Sequence, residues 1–159
     1  MSDKIGIINN GCIEQFGSPI DLYLRPKSAF VAEFFGEINI LEGIVKEGTV
    51  STVLGTFNCS QRFNNKKVKI VIRDEAIKLF SANKININSK VKKNFIKSSY
   101  YGYVMEARLL AGSSLVHLSL KVDKLNFHIH ARIPGLNFFK VDEKVIVETD
   151  PTQIFIFEQ

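Results

Sequence analysis

Three histidines cluster in the last third of the chain, at His117, His128 and His130. Val116, Leu118, Leu120 and Val122 alternate with His117, Ser119 and Lys121. Phe127, Ile129 and Ala131 alternate in the same way with His128, His130 and Arg132. Alternation of this kind marks strands with one buried face. If Val122 and Leu125 close a hairpin around Asp123-Lys124, His117 faces His130 and His128 faces Ser119, all on the polar side. Three imidazoles on one face suit a borderline transition metal. Hard ferric iron prefers oxygen donors, and neither strand carries a carboxylate. The competing expectation is therefore an exposed strand face that carries histidines and holds no metal.

A second candidate is the basic run Lys84, Lys90, Lys92, Lys93 and Lys97, followed by Tyr100, Tyr101 and Tyr103. Positive grooves with stacking aromatics bind single-stranded nucleic acid on small barrels. Lysines near a bilayer also attract anionic headgroups. The plainer alternative is a solvated loop entering a strand whose tyrosines pack in the core. On that alternative no nucleic acid is expected.

Other chemistry is missing. No glycine is followed by lysine, so a phosphate-cradling G-x-x-x-x-G-K-[ST] loop is absent. There is no G-x-S-x-G elbow and no H-E-x-x-H helix. Cys12 and Cys59 form neither a C-x-x-C pair nor a disulfide framework, which favours a reducing compartment. No catalytic residue and no cofactor-binding residue is expected in this chain.

Composition limits the rest. With 159 residues, 45% hydrophobic content and 13 Phe, the chain is neither disordered nor too small for a core. No apolar run approaches the ~20 residues needed to span a bilayer, and the first residues lack the apolar core of a signal peptide. The net charge of +5 is local. Residues 1–42 carry 3 basic and 6 acidic groups, residues 43–97 carry 12 and 3, and residues 98–159 carry 6 and 7.

The elements that would position these residues fall into two groups. In residues 1–42, Asn9-Asn10-Gly11 between apolar stretches predicts a hairpin over Ile5–Phe16. Ser18-Pro19-Ile20-Asp21 opens a helix that Arg25-Pro26 ends. A second helix from Ser28 to Phe35 stops at Gly36. Phe30, Val31, Phe34 and Phe35 form its apolar stripe, which must dock on something. From residue 43 the period changes to two. Strands are expected at 67–73, at 116–122, at 127–132, at 145–148 and at Ile154–Phe157, the last apolar on both faces and so buried. Many short strands separated by Gly, Asn and Asp suggest a small barrel or sandwich.

The order of motifs adds a resemblance. Gly17-Ser18-Pro19-Ile20-Asp21-Leu22-Tyr23 and Phe34-Phe35-Gly36-Glu37-Ile38-Asn39 resemble the last stretch of an ABC-importer ATPase domain, where they follow the switch histidine. Val68-Lys69-Ile70-Val71-Ile72-Arg73-Asp74-Glu75-Ala76-Ile77-Lys78-Leu79 resembles the signature of the regulatory TOBE barrel behind that domain, with Asp74 in place of the usual proline and Arg73 and Glu75 retained. His130-Ala131-Arg132-Ile133-Pro134-Gly135 and Val145-Ile146-Val147-Glu148-Thr149-Asp150-Pro151 are similar to its closing strands.

The resemblance implies a mainly β chain: an OB-like small β-barrel over 43–159, preceded by a hairpin-plus-two-helix tail of an ABC ATPase domain over 1–42. It implies a regulatory and dimerisation module of an importer ATP-binding subunit from the iron, polyamine and sugar branch, with the closing strands most like the ferric-iron type. The phosphate loop, signature loop and switch histidine would precede Met1, so ATP and Mg would belong to the parent subunit and not to this chain. Partners would be a second copy of the subunit and membrane permease subunits, at the cytoplasmic face of the membrane. Phe30, Val31, Phe34, Phe35, Gly36, Arg73 and Glu75 are the expected interface and structural residues. The alternative is a free-standing OB-type module that binds single-stranded nucleic acid.

Overall fold

In the computed structural model, residues 3–82, 100–122 and 124–159 are described. Asn10 and Gly11 take φ of 49° and 79°, the positive values that a two-residue hairpin turn requires. They join β1 (Ile5–Asn9) to β2 (Cys12–Gly17). α1 (Pro19–Leu24) opens with the Ser18 hydroxyl accepting the Asp21 N–H at 3.1 Å. α2 (Ala29–Phe34) opens with Ser28 accepting the Val31 N–H. Six residues are too few for either helix to persist alone. Packing holds them: Ile7, Leu22 and Val31 form a small core, covered by Ile5 and Phe35.

The remaining elements are strands joined by turns. They run as β3 (Ile38–Ile44), β4 (Thr49–Thr52), β5 (Gly55–Asn58), β6 (Lys67–Arg73), β7 (Ile77–Ser81), β8 (Tyr100–Leu110), β9 (Ser113–Val122), β10 (Leu125–Pro134), β11 (Lys144–Thr149) and β12 (Ile154–Glu158). One sheet has the order β10-β9-β8-β11-β7 and another β12-β6-β3, with β4-β5 a separate hairpin. Every pair is antiparallel. The inward side chains of both larger sheets share one core, including Ile70, Ile72, Leu118, Leu120, Ile129 and Val147. The result is mainly β and OB-like.

The expected helices and hairpin are present. So is the β9–β10 register, with His130 opposite His117 and His128 opposite Ser119. Residues 42 and 43, where a division of the chain is expected, both lie inside β3. β12 departs from expectation, being half-buried and not buried. It lies at the edge of its sheet, so Ile154 and Ile156 pack on the core while Phe155 and Phe157 keep part of their surface in solvent. Gly43 has a packing reason: a Cβ there would lie 2.5 Å from Val50 Cγ2, so side-chain loss lets β3 pass the β4 hairpin.

Candidate functional site at the junction of tail and barrel

Arg73 ends β6 and turns its guanidinium beneath the two helices. It is 2% exposed. Its Nη2 donates to the Tyr23 carbonyl at 2.8 Å and its Nη1 to the Ala32 carbonyl at 3.3 Å. The final carbonyls of a helix lack intrahelical partners, so one rigid fork of donors serves the ends of both helices. The guanidinium carbon also lies 4.0 Å from the Tyr23 ring centroid. Burial pushes the Arg73 guanidinium below its usual range, and the neighbouring Asp74 carboxylate opposes that shift. Glu75 completes the latch by accepting a hydrogen bond from the Tyr23 hydroxyl.

Asp74 shows why proline is not required here. Its N–H donates to the Glu37 carbonyl at 3.2 Å, a bond that proline cannot make. Its buried carboxylate pairs with Arg132 of β10, with Nε and Oδ2 at 2.8 Å. Two residues past Glu37, the buried Asn39 performs a second stitch. Its Nδ2 donates to the His130 carbonyl at 2.8 Å, and its Oδ1 accepts the His130 N–H at 2.7 Å. A side-chain amide thus replaces a backbone ladder between β3 and β10, which belong to different sheets.

His130 carries this junction to the imidazole face. The ring centroids of His117 and His130 lie 4.5 Å apart, those of His128 and His130 4.8 Å, and those of His117 and His128 5.2 Å. His117 Nδ1 is 3.1 Å from His128 Nε2. Burial, then the neighbouring imidazoles of His130 and His128, hold His117 below the ordinary histidine range. β9 and β10 carry no carboxylate, as expected, yet carboxylates approach from elsewhere. Glu37 Oε2 lies 3.5 Å from His130 Nδ1, and Glu106 of β8 stands opposite His117. Arg108 grips Glu106 through Nε and Nη2, at 2.7 and 3.1 Å.

The structure therefore gathers Arg73, Glu75 and the three histidines around one junction. It divides the helical stripe. Val31 is buried, Phe35 is half-buried and in edge contact with Tyr23, and Phe30 and Phe34 are exposed, Phe34 by 64%. The stripe is expected to dock on the barrel or on a second copy; instead Val31 packs with Ile7 and Leu22 of the tail itself, with Phe35 covering them, because helix α2 turns only one edge toward that pair. Gly36 takes φ of 154° and ends α2. The five lysines of the basic run lie outside the described residues. Tyr100 packs on the core, whereas Tyr101 and Tyr103 are exposed, with Lys144 Nζ 4.2 Å from the Tyr101 ring. Tyr23, Asn39 and Arg132 were not marked by sequence, since their partners lie 50 or more residues away. Asn39 had one signal, its place in the string that ends α2.

No protein-family model matches the chain. Curated relatives do. The "Spermidine/putrescine import ATP-binding protein PotA" of Acetivibrio thermocellus is 41% identical over 162 residues, covering 100% of this chain and 41% of the relative. The proteins of the same description from Clostridium novyi and Borreliella afzelii are 33% and 30% identical, covering 89% and 100% of this chain and 40% and 41% of theirs. The chain spans about two fifths of the length of these relatives. Their names carry polyamines and not iron, so the ferric-iron refinement gains no support from them. Among solved structures, the cytoplasmic molybdate-binding protein ModG with molybdate bound matches with TM-score 0.53 at 14% identity, over 76% of this chain and 96% of that one. That likeness concerns the fold alone. Along its whole length, then, this chain is similar to part of the spermidine/putrescine import ATP-binding proteins, and its fold is OB-like.

Proposed function

We propose that the chain is the regulatory and dimerising part of an ABC-importer ATP-binding subunit, and that the importer's cargo is a polyamine. The similarity to spermidine/putrescine import ATP-binding proteins carries this reading, because it runs through tail and barrel alike. The latch supports it. Arg73 and Glu75 fix the ends of α1 and α2 to the barrel, so a movement of an ATPase body attached to the tail would be felt by the barrel. In the parent, ATP and Mg occupy sites outside this chain, paired subunits close on the nucleotide, and the permease lies at the cytoplasmic face of the membrane. This chain alone neither binds nor hydrolyses ATP. The ferric-iron reading rests on the closing strands only, and the polyamine reading on relatives that match this chain along its whole length.

The test exchanges the matching stretch of the Acetivibrio thermocellus protein for this chain and measures labelled spermidine uptake in cells lacking their own importer. Uptake near that of the unaltered protein is expected. A chimera that folds and hydrolyses ATP but moves no spermidine would overturn the proposal. A salt-dependent shift of single-stranded DNA or RNA by the chain, with no uptake, would favour the nucleic-acid module instead.

A further inference from the structure

Among the described residues, one group of metal-ligating side chains converges: a ring nitrogen from each of His117, His128 and His130 lies within 4.8 Å of the others. We propose that this face of β9 and β10 binds one divalent transition cation of the zinc class, through the three imidazoles with the Glu37 carboxylate as fourth donor. Zinc–nitrogen bonds of about 2.0 Å place tetrahedral donors about 3.3 Å apart. His117 Nδ1 and His128 Nε2 stand at 3.1 Å already, and side-chain rotation closes the remaining separations.

The scaffold is rigid where the ligands need it. His117 and His130 are direct cross-strand partners, and His128 shares the face of His130 by the two-residue period of a strand. Asn39 pins the backbone of His130 from the opposite sheet. Glu37 is held near by its carbonyl, which accepts the Asp74 N–H, and its carboxylate reaches within 3.5 Å of His130. Glu106 is already paired with Arg108, so it is not counted as a ligand and it offsets the nearest fixed positive charge.

The three imidazole rings crowd within 5.2 Å of one another on this face. Three nitrogens and one oxygen make a borderline donor set, suited to Zn, Co, Ni or Cu as divalent ions and ill suited to hard ferric iron. A bound cation would tie Glu37, the first residue after the helix-ending Gly36, to the outer face of the five-stranded sheet. It would stiffen the junction between tail and barrel. This inference stands on the imidazole face alone and is independent of the importer reading.

The test treats the purified chain with chelator, removes the chelator, and titrates with ZnCl2 by calorimetry and with CoCl2 by visible absorption. Expected are one ion per chain, d–d bands of cobalt in a protein site, and a melting temperature raised by Zn2+ as binding to the folded state requires. His128→Ala removes an exposed side chain, so the variant keeps its circular dichroism spectrum and loses the cobalt bands. Glu37→Gln removes the one anionic donor and weakens Zn2+ binding at least tenfold, since loss of even an outer partner costs about that much. His130→Ala is expected to lose binding; should it unfold, His128→Ala and Glu37→Gln decide alone. Absence of cobalt bands in the unaltered chain, or binding unchanged in His128→Ala, overturns the proposal.

Discussion

At the scale of single residues, two buried polar side chains do most of the joining. Arg73 is the more exposed to test, because its guanidinium meets two helix ends and an aromatic ring at once. Truncation leaves the half-buried Tyr23 carbonyl without its donor and the Ala32 carbonyl with only the Phe35 N–H, at a cost of about 1–3 kcal/mol. Arg73→Ala should therefore lower the melting temperature and speed amide exchange over residues 19–34, more than in the barrel strands. Arg73→Lys should recover little, since an ammonium cannot span both carbonyls. Unchanged exchange in the helices would show that the latch does not hold them. Asn39→Ala belongs beside it. The side chain satisfies both backbone groups of His130, so its loss orphans a donor and an acceptor at a cost of about 2–4 kcal/mol. Urea denaturation should show that loss with an unaltered slope.

At the scale of elements, the turn from β11 into β12 makes stability depend on pH. Asp150 accepts from the Thr152 hydroxyl and N–H, and these bonds, with Lys78 adding attraction, hold its carboxyl below the usual aspartate range. A carboxyl lowered by folding stabilises the native state above its ordinary range, and that gain is lost as pH falls toward the lowered value. Urea midpoints should fall between neutral pH and about pH 3, with Asp150→Asn flattening part of the slope; an identical slope in the variant would remove Asp150 as its source. The elements themselves were largely readable. Ser18, Ser28 and the Asn10-Gly11 turn act over two or three residues, and the alternation around His117 and His130 yields the observed register. β3, β4 and β5 were not readable, because Gly43 and the short runs at 49–58 give little alternation. Which elements meet was also hidden. Arg73 with Tyr23, Asp74 with Arg132 and Asn39 with His130 are long-range pairs, and local pattern carries no term for them. The apolar run at 154–157 misled because a strand at a sheet edge can keep phenylalanines half in solvent.

At the scale of the whole molecule, the two cores are unequal. The barrel encloses one large shared core, though Leu125, Leu136 and Phe138 among others stay exposed, whereas the tail buries three side chains in its own small cluster and leaves Ile8, Ile13, Phe16, Ile20, Leu24 and Phe34 exposed. Soluble monomers seldom expose large apolar side chains so densely over so short a segment. A tail built this way is expected to be covered, by an ATPase body in a parent subunit or by a second copy when the chain is alone. Sedimentation velocity and light scattering over a rising concentration series should therefore show the isolated chain passing from monomer to dimer. Ile13→Ser combined with Phe34→Ser should shift that equilibrium toward monomer. The melting temperature extrapolated to low concentration should hardly move, since neither side chain belongs to a core cluster. A strictly monomeric chain across the series would rule out a second copy as the cover. Dimerisation untouched by the double variant would place the contact on the barrel, away from the tail.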